Sequence, residues 1–565
     1  MSMKRKTNAA VALSMAAMLA LTACGSNGTT GSNDAGGSSD GGSAAPAPAD
    51  TQPAAPAELD IAAKYDPLVE VTAWRYTEST YKYENGDTIE DNIYTRAYRD
   101  DLGIDLKYKW TVPIEQFEQK MNVSIASGDL PDIMWLTNKQ LTDLAENDLL
   151  YDLTDLYEQY ASPLSKEILQ QDQKAFDTAK IGGRLMAIPK TASAVDGLPI
   201  LHVRTDWLQK LNLPEPKTMD DLVNIARAFV TQDPDGNNQA DTIGLGLTKT
   251  FLKDNHFGTA GFFAGFHAYP QKWVEEDSGN LVYGSIQPGA KQGLQLLQDM
   301  YKEGLLDLEF GVKDRAKVTE SVVSGKLGMF YGGMSSPGAV IQDNVTNDPN
   351  AEWKAFALVS ADEVAAMPMG KVPVQLYYAV SKESKNPEAI FKMLNFSMEG
   401  FAPDAPADTG FGFSPSGIPV YLYNFIGPEP AMKNLNAHRN VVKALETKDP
   451  STLTTEEKTY YDKIVSHQSG NRADWGQERI FGTPSSFDVI DQYVQADNYT
   501  LDAFYGGSTP TMVEKLASLH QMEEEVYTKI IMGQSIDTFD KFVQDWMNLG
   551  GEQITKEVNE WAAKQ

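Results

Sequence analysis

The sequence predicts an α/β fold, and three observations support this prediction. Between residues 68 and 135, short apolar runs alternate with segments of helical periodicity, a pattern typical of a mainly parallel sheet. Roughly 500 residues follow a polar N-terminal stretch, which is enough for two or more packed lobes. The chain is 42% hydrophobic and 10% aromatic, which suits a globular body.

The first 23 residues have the features of a signal peptide. Lys4, Arg5 and Lys6 form a basic segment, and residues 9–21 form a nearly continuous apolar run. A run of this length is too short to cross a bilayer as a permanent helix. We therefore predict a signal peptide over residues 1–23 that directs export.

Cys24 is the only cysteine in the chain, so it cannot form an intramolecular disulfide. The sequence Leu21-Thr22-Ala23-Cys24-Gly25 resembles the lipobox of bacterial lipoproteins. This resemblance implies cleavage before Cys24, lipid attachment to it, and anchoring to the outer face of the cytoplasmic membrane of a Gram-positive-type cell. The alternative is an incidental cysteine in the leader.

Residues 24–59 consist largely of Gly, Ser, Asp, Ala and Pro and include no aromatic residue. Such a segment cannot bury enough apolar surface to offset the entropy lost on ordering. We predict a flexible tether between the anchor and the folded body.

The formal net charge of the chain is −30. This charge argues against nucleic acid, and against an anionic polysaccharide, as a loosely held partner. The alternative is that an acidic surface keeps an exported protein soluble.

The body begins with alternating elements that can be assigned from local patterns. Apolar residues with helical or alternating spacing predict two helices and three strands, and the second helix ends at Gly128. The strands are predicted over 68–74, 105–110 and 131–135, and the helices over 88–102 and 115–126.

Three apolar stripes near the C-terminus predict three packed helices. Their residues recur at intervals of three and four, so each stripe is more typical of core packing than of ligand contact. The stripes are Leu516, Leu519, Met522, Val526 and Ile530; Phe539, Phe542, Val543 and Trp546; and Ile554, Val558 and Trp561.

Six sequence blocks are distributed over nearly the whole body: Ile125-Ala-Ser-Gly-Asp-Leu-Pro-Asp-Ile133, Gly183-Arg-Leu-Met-Ala-Ile-Pro189, and residues 204–211, 271–307, 324–330 and 539–561. In sequence and in order, these blocks resemble bacterial extracellular solute-binding proteins that serve sugar ABC transporters. The last block is similar to the LipO/alginate-binding-like branch of that family.

This resemblance implies a two-lobed, type II periplasmic-binding-protein-like fold, with a ligand cleft between lobes joined by crossing strands. The crossings are expected near residues 185–192 and 373–381. Lobe one would then comprise residues 60–187 and 371–415, and lobe two residues 188–370 and 416–565. The implied function is capture of an oligosaccharide by a monomer and its delivery to ABC-transporter permeases.

The candidate ligand site combines aromatic and polar residues at strand ends and in loops, because sugars offer weakly apolar ring faces and many hydroxyls. Trp74, Trp135, Tyr331 and Trp475 are the central candidates. Core packing is the alternative for each aromatic residue and is favoured for Trp207. The full set is Trp74, Tyr76, Asp132, Trp135, Asp206, Trp207, Tyr331, Tyr377, Asp474, Trp475 and Arg479.

An acidic loop predicts a structural Ca²⁺ site. Oxygen-bearing side chains recur at every second position, as in loops that supply Ca²⁺ with six to eight oxygens. Gly244 stands where the bidentate glutamate of an EF-hand would be, and Thr242 stands where related binding proteins often place an acid. A polar turn without metal is the alternative. The predicted ligands are Asp233, Asp235, Asn237, Gln239, Asp241 and Thr242.

An enzyme is the main alternative function. Glycoside hydrolysis needs two carboxylates facing one bond across a defined gap, which a sequence cannot show. The six histidines are scattered, and neither a P-loop nor a zincin motif is present. A surface sensor or adhesin is a second alternative, since it would carry the same anchor and cleft. We therefore predict a binding protein rather than an enzyme.

Overall fold

The computed structural model covers the folded body of the chain. Cys24, the predicted signal peptide and the tether lie outside the described residues. Within the described body, no helix is both long and apolar enough to cross a membrane. The described residues are 61–564, apart from 62, 79–80, 403–409, 415 and 417.

The strands form two main sheets and three short two-stranded pairs. Their bounds are β1 (Val69–Thr77), β2 (Ile104–Pro113), β3 (Ile133–Leu136), β4 (Lys180–Ile181), β5 (Arg184–Leu185), β6 (Ala187–Thr191), β7 (Ile200–Arg204), β8 (Ile243–Leu245), β9 (Trp273–Glu275), β10 (Leu281–Tyr283), β11 (Leu327–Gly332), β12 (Trp353–Phe356), β13 (Met369–Gly370), β14 (Val374–Val380) and β15 (Thr500–Leu501).

The helices cover the sheets and make up most of the C-terminal part. Their bounds are α1 (Ile93–Ala97), α2 (Ile114–Ser127), α3 (Asn138–Glu146), α4 (Thr154–Tyr160), α5 (Pro163–Gln170), α6 (Gln173–Asp177), α7 (Thr205–Leu211), α8 (Met219–Thr231), α9 (Ala260–Ala264), α10 (Pro288–Lys302), α11 (Arg315–Val323), α12 (Gln342–Asn347), α13 (Ala389–Met398), α14 (Lys433–Thr447), α15 (Thr455–Gln468), α16 (Trp475–Phe481), α17 (Ser486–Gln495), α18 (Pro510–Ile531), α19 (Thr538–Trp546) and α20 (Glu552–Ala562).

The first sheet has the strand order β2-β1-β3-β14-β6. β1 pairs in parallel with β2 and β3, whereas β14 runs antiparallel to both β3 and β6. The predicted strands and the helix ending at Gly128 are confirmed, and Gly128 has a φ of 72°. The other predicted helix begins later, because the Asn92 side chain caps the backbone N–H groups of Tyr94 and Thr95.

The second sheet has the order β12-β7-β11-β8. β7 runs antiparallel to both β11 and β12, and only β8 is parallel to its neighbour. The predicted parallel pairing concerns the strands between residues 68 and 135 and is confirmed for β1, β2 and β3; the sequence analysis makes no prediction for the second sheet. Local alternation shows where a strand lies but not which distant strand pairs with it, and here β7 pairs with strands more than a hundred residues away.

The chain passes between the two sheets three times, through segments that we call the crossing segments. These are residues 192–199, 357–373 and 427–431. Each sheet carries its own apolar core, and the core of the first sheet also includes Val420, Tyr423, Phe425 and Ile426. The sequence analysis assigns these four residues to lobe two.

The predicted C-terminal helices are confirmed as α18, α19 and α20, and they pack in the second core. α18 carries a fully buried carboxyl group, Glu523. The Tyr283 hydroxyl donates to Glu523 Oε2 at 3.0 Å. Burial raises the pKa of Glu523 from 4.5 to about 7, against hydrogen bonds from Ser285 and Tyr283 that favour the ionised form. Ionising this group therefore opposes folding.

We predict that Glu523 makes the protein less stable as the pH rises from about 4.5 to about 7. In this pH window the folded protein keeps a proton on Glu523 that the unfolded chain has released, so rising pH favours the unfolded chain. The free energy of unfolding is therefore unaffected by this group at lower pH and decreases across the window. Glu523→Gln keeps the shape of the side chain and an acceptor for Tyr283. It should remove this pH-dependent decrease in the free energy of unfolding, which is on the order of 3 kcal/mol. Denaturant unfolding at several pH values measures this.

The matched control is Glu525→Gln on the exposed side of the same helix, which should leave the pH profile unchanged. Parallel pH profiles for Glu523→Gln and the unmodified protein would contradict the prediction.

Candidate ligand-binding site at the crossing segments

The three crossing segments lie side by side and hydrogen-bond where they leave the first sheet. The Ala192 N–H donates to the Pro373 carbonyl at 2.8 Å. The Glu429 N–H donates to the Thr191 carbonyl at 3.1 Å, and the Thr191 hydroxyl donates to the Glu429 carbonyl at 2.8 Å. All connections between the two cores therefore meet at one place, which we call the junction.

Arg75, near the end of β1, anchors the segment that precedes the third crossing segment. Its side chain is 1% exposed, and its two terminal nitrogens donate to the carbonyls of Asn424 at 2.9 Å and Leu422 at 2.6 Å. The guanidinium carbon lies 5.0 Å from the ring centroid of Trp135. Because a buried cation needs hydrogen-bond acceptors, Arg75 holds residues 420–426 against the first core.

Lys190, in β6, places a second cation on the same indole ring. Its Nζ lies 5.0 Å from the Trp135 ring centroid. Burial, followed by the charge of Arg75, lowers the pKa of Lys190 to about 8, although Glu429 and Glu78 act in the opposite direction. Burial is therefore the main reason that the pKa of half-buried Lys190 is lowered, and the nearby charges act in both directions.

Tyr83 and Tyr421 are the two aromatic side chains that rank as exposed in the described part of the chain. The Tyr83 ring stacks on Tyr423 with centroids 5.0 Å apart and planes at 22°. The Tyr421 ring meets Phe413 edge-on at 5.7 Å, and Lys433 Nζ lies 5.8 Å from its centroid. Each tyrosine therefore packs against an aromatic neighbour while keeping enough open surface to stack on a ligand.

Charged groups of the second core face Tyr421. Lys433 Nζ lies 3.2 Å from a Glu456 carboxylate oxygen and 3.6 Å from one of Glu429. The Tyr460 hydroxyl donates to Glu456 at 2.6 Å. The junction thus combines open aromatic faces with charged hydrogen-bonding groups.

The predicted site residues near the first sheet are largely packed in its core. The Trp74 indole N–H donates to the Trp135 carbonyl at 3.2 Å, and the Trp135 ring meets Tyr76 edge-on at 5.2 Å. The Tyr377 hydroxyl accepts a hydrogen bond from Asn138 at 3.1 Å. Asp132 accepts two hydrogen bonds from Thr72, so it ties β1 to β3.

Three predicted site residues, Asp206, Trp207 and Tyr331, lie in or beside the second core. Asp206 accepts a bidentate pair of hydrogen bonds from Arg204 at 2.6 and 2.8 Å, Trp207 packs edge-on against Phe229, and Tyr331 is buried.

Trp475, with Arg479 at 5.7 Å from its ring centroid, lies in a third apolar cluster. Asp474 accepts a hydrogen bond from Asn471. Trp74, Trp135, Tyr331 and Trp475 are at most 2% exposed, so protein covers their rings in this conformation. Their contact with ligand stays a prediction.

Sequence reasoning missed four junction residues. Arg75 lies between two predicted residues of β1, Lys190 lies within the first predicted crossing, and Tyr83 follows the carboxyl end of β1, where open sheets bind ligands. Each of these three positions therefore carried a usable signal. Tyr421 carried none, because its proximity to the junction depends on a contact across the fold.

The acidic loop after α8 forms a tight polar turn. The Asp233 carboxylate accepts the backbone N–H groups of Gly236, Asn237 and Asn238 at 3.0–3.1 Å. The Asn237 side chain donates to Asp235 at 2.7 Å and contacts Asp241 at 3.1 Å. Asp233 itself has a φ of 49°, in the left-handed region that aspartate tolerates better than most residues.

The carboxylate and amide oxygens of this loop are the kind of ligand that hard cations prefer. Burial, followed by Asp233, raises the pKa of Asp235, so the carboxylates crowd one another. Two lysines neutralise part of this charge: Lys326 pairs with Asp241 at 2.9 Å, and Lys210 donates to the Pro234 carbonyl. Within the described ranges, no three His, Cys, Asp or Glu side chains are gathered for metal binding.

Two predicted ligands of the loop have specific surroundings. The Thr242 hydroxyl is buried and donates to the Phe229 carbonyl at 2.7 Å, so it is directed toward α8. Gln239 is exposed, and its backbone N–H donates to Asn237 Oδ1 at 2.6 Å. The loop therefore offers its oxygens chiefly through Asp233, Asp235 and Asp241.

Comparisons with known proteins agree with this architecture. The sequence profile of the family described as bacterial extracellular solute-binding protein matches residues 82–398. Lipoprotein LipO of Bacillus subtilis (strain 168) is 28% identical over 229 residues, 40% of this chain and 44% of LipO. The fructooligosaccharide ABC transporter substrate-binding protein FusA of Streptococcus pneumoniae serotype 4 is 30% identical over 213 residues, 35% of this chain and 39% of FusA.

A longer alignment extends over most of the body. The polygalacturonan/rhamnogalacturonan-binding protein YtcQ of Bacillus subtilis (strain 168) is 23% identical over 474 residues, which is 81% of this chain and 85% of YtcQ. By contrast, the chain spans less than half of the length of LipO and of FusA.

Solved structures share the fold at low sequence identity. Alginate-binding protein AlgQ2 has a TM-score of 0.56 at 16% identity, covering 89% of this chain and 99% of AlgQ2. A solute-binding protein from Bifidobacterium longum infantis, described as HMO-binding, has a TM-score of 0.60 at 16% identity, covering 88% of this chain and 98% of that protein. The predicted two-lobed, type II α/β fold is confirmed.

The family profile matches more than half of the chain, in a body with two sheets, two cores and a junction of crossing segments. The chain belongs to the bacterial extracellular solute-binding proteins.

Proposed function

We propose that this protein is the extracellular substrate-binding subunit of an ABC transporter, a monomer that captures an oligosaccharide between its two lobes. It delivers the sugar unchanged to membrane permeases. The observation that carries the proposal is that the exposed ring of Tyr421 lies beside Lys433, which pairs with Glu456, while the exposed ring of Tyr83 stacks on Tyr423 of the same segment, residues 420–426. Family membership and the carbohydrate ligands named for FusA and YtcQ support it.

The chemistry of the junction suits a sugar. Aromatic faces stack on the weakly apolar faces of pyranose or furanose rings, while carboxylates and ammonium groups accept from or donate to hydroxyls. Tyr421 lies between Val420 and Leu422, which pack in the first core, whereas Lys433 and Glu456 belong to helices α14 and α15. A sugar stacked on Tyr421 would therefore also contact the charged groups of Lys433 and Glu456.

The lobes proposed here follow the two cores. Lobe one comprises residues 61–191 and 371–426, and lobe two comprises the remainder of the body. Because residues 420–426 are buried in the first core, we place the last boundary after residue 426. Ligand contacts made from both lobes would favour the closed state, since a ligand shifts a conformational equilibrium through its differential affinity for the two states.

The arrangement of the carboxylates around Lys433 at the junction favours a binding protein over a glycosidase. Glu429 and Glu456 both lie within 3.6 Å of Lys433 Nζ. A glycosidase needs one carboxyl group poised as an acid and a second aligned on the opposite side of the scissile bond. Two carboxylates that share one ammonium group are better suited to holding hydroxyls in place.

We predict that Tyr83→Ala and Tyr421→Ala each weaken oligosaccharide binding by about 1 kcal/mol or more, roughly fivefold, because each removes a stacking face. Both side chains are exposed, so the fold should remain intact. The ligand is the oligosaccharide that most raises the melting temperature in a screen, since ligand at 100 times its Kd stabilises the folded state by about 2.7 kcal/mol. Calorimetry then measures the affinity.

Tyr83→Phe and Tyr421→Phe, which keep the ring faces, are the matched controls and should bind almost normally. Unchanged affinity in both alanine variants would place the site elsewhere. Recovery of shortened sugar after incubation would replace the transport function with an enzymatic one.

We also propose that the acidic loop binds a structural Ca²⁺ through Asp233, Asp235 and Asp241. Support comes from the crowding of these carboxylates. Further support comes from two proteins of the same fold, a FusA variant described as an EF-hand mutant and AlgQ2 described as solved without its calcium ion.

We predict that a Ca²⁺ chelator lowers the melting temperature, and that Asp233→Ala combined with Asp235→Ala abolishes this sensitivity. The cation would relieve repulsion between carboxylates that the two nearby lysines only partly neutralise. Glu275→Ala with Asp277→Ala, an exposed acidic pair at the end of β9 and in the turn after it, is the matched control and should stay chelator-sensitive. Identical melting of the unmodified protein in chelator and in excess Ca²⁺ would leave the loop a metal-free turn.

The export signal and lipid anchor complete the proposed function, because a substrate-binding subunit must stay near its permeases. LipO, a relative in part of the chain, is named a lipoprotein. We predict that Cys24→Ser leaves an uncleaved precursor or releases the protein to the medium, because the thiol would carry the lipid. Cell fractionation with immunoblotting distinguishes these outcomes from normal membrane retention, which would exclude lipidation at Cys24.

A further inference from the structure

We infer that Lys190 is a carboxylate-binding subsite and that the captured oligosaccharide is acidic, built from uronic acid units. This inference rests on the proposed function and specifies its substrate class. The juxtaposition that carries it is an ammonium group and a guanidinium on one indole ring, at the junction where the ligand would lie.

The ammonium group of Lys190 makes no hydrogen bond or ion pair with any residue that the structure describes; its recorded partner is the face of Trp135. A half-buried ammonium without an anionic or carbonyl partner is costly. A cation–π contact offsets part of this cost, on the order of 1–2 kcal/mol. Lys190 thus has unused capacity for an anion.

Two buried N–H donors next to Lys190 lack acceptors. Within the described body, neither Arg75 Nε nor Trp135 Nε1 has a hydrogen-bond partner, although both are buried. The other two Arg75 nitrogens are already engaged by backbone carbonyls. Arg75 therefore supports the positive potential, and Lys190, which is less buried, is the group that a ligand can contact.

The titratable groups that act on Lys190 are Arg75 from β1, Glu78 after it and Glu429 in the third crossing segment. Burial and Arg75 lower the pKa of Lys190, whereas the two glutamates raise it. The lowering outweighs the raising, and the pKa is about 8. Glu429 also lies 3.6 Å from Lys433. A ligand carboxylate would give the Lys190 ammonium group the direct anionic partner that the described residues do not provide.

The proposed function narrows the anion to a sugar acid. The site proposed for the oligosaccharide includes the exposed rings of Tyr83 and Tyr421, and a free inorganic anion cannot use such ring faces. The whole protein carries a charge of −30 and repels polyanions at long range. A single recessed ammonium is a compact point charge, suited to one carboxylate at a defined place on an otherwise hydroxylated ligand.

The test compares uronate trisaccharides, such as trigalacturonate and trimannuronate, with their methyl esters, which have the same skeleton without the charge. At pH 7 the best acid should bind at least tenfold more tightly than its ester. Lys190→Met should abolish this preference, and Lys190→Arg should largely retain it. Raising the pH from 7 to 9 should weaken binding of the acid by deprotonating Lys190, while binding of the ester should change little.

Lys541→Met, at a lysine far more exposed on α19, is the matched charge-removal control and should keep the preference for the acid. Circular dichroism melting checks the fold of each variant, and Lys190→Gln serves as a second neutral variant if Lys190→Met is unstable. Phosphate is included as a competitor; displacement of the acid by millimolar phosphate would show a general anion site and overturn the assignment to a sugar acid.

The remaining outcomes separate the two levels of the proposal. Tight binding of a neutral oligosaccharide without a preference for any acid would overturn the acidic-sugar inference and leave the proposed function standing. Preference for an acid that persists in Lys190→Met would overturn the role of Lys190. Failure of every acidic and neutral oligosaccharide to bind would overturn the proposed function, and this inference with it.

Discussion

The buried guanidinium of Arg75 is the interaction on which the junction depends. A charge taken out of water costs several kcal/mol unless hydrogen bonds compensate it. The carbonyls of Leu422 and Asn424 provide that compensation. The chain must therefore bring residues 420–426 back to the first core before it enters the helices of the second. Tyr421, and the third crossing segment with Glu429 that follows it, take their positions from this requirement.

The indole of Trp135 extends the effect of Arg75 to Lys190. Each cation lies 5.0 Å from its ring centroid, and the negative face of an aromatic ring attracts cations electrostatically. Because backbone carbonyls already hold Arg75, it contributes charge without being available to a ligand, whereas Lys190 keeps its donors. In the inferred subsite, Trp135 would act through the cations that it holds, whereas the sequence analysis predicts it as a direct ligand contact.

Local patterns predicted the elements of the fold well, because helix caps and periodicity depend on residues close in sequence. Gly128 ends α2 in a left-handed conformation, as predicted, and the Thr218 side chain caps α8 by accepting the Asp221 backbone N–H. The apolar stripes around Leu519, Phe542 and Val558 became buried faces of three helices. The direction of strand pairing in the second sheet was not predictable, since β7 lies between two strands that follow much later in the chain.

The sequence by itself determined the helices, the polar turn at Asp233 and the family blocks, because each depends on short-range spacing. It also placed aromatic residues such as Trp135 and Trp475 at strand ends or in loops, but a tryptophan in a core and one in a cleft look alike in sequence. Only the tertiary structure decided that these rings are buried and that Tyr83 and Tyr421 are exposed. The reason is that exposure depends on what the rest of the chain packs against each ring. Lys190 and Glu429 meet at the junction only because the backbone of one crossing segment hydrogen-bonds to another more than two hundred residues away.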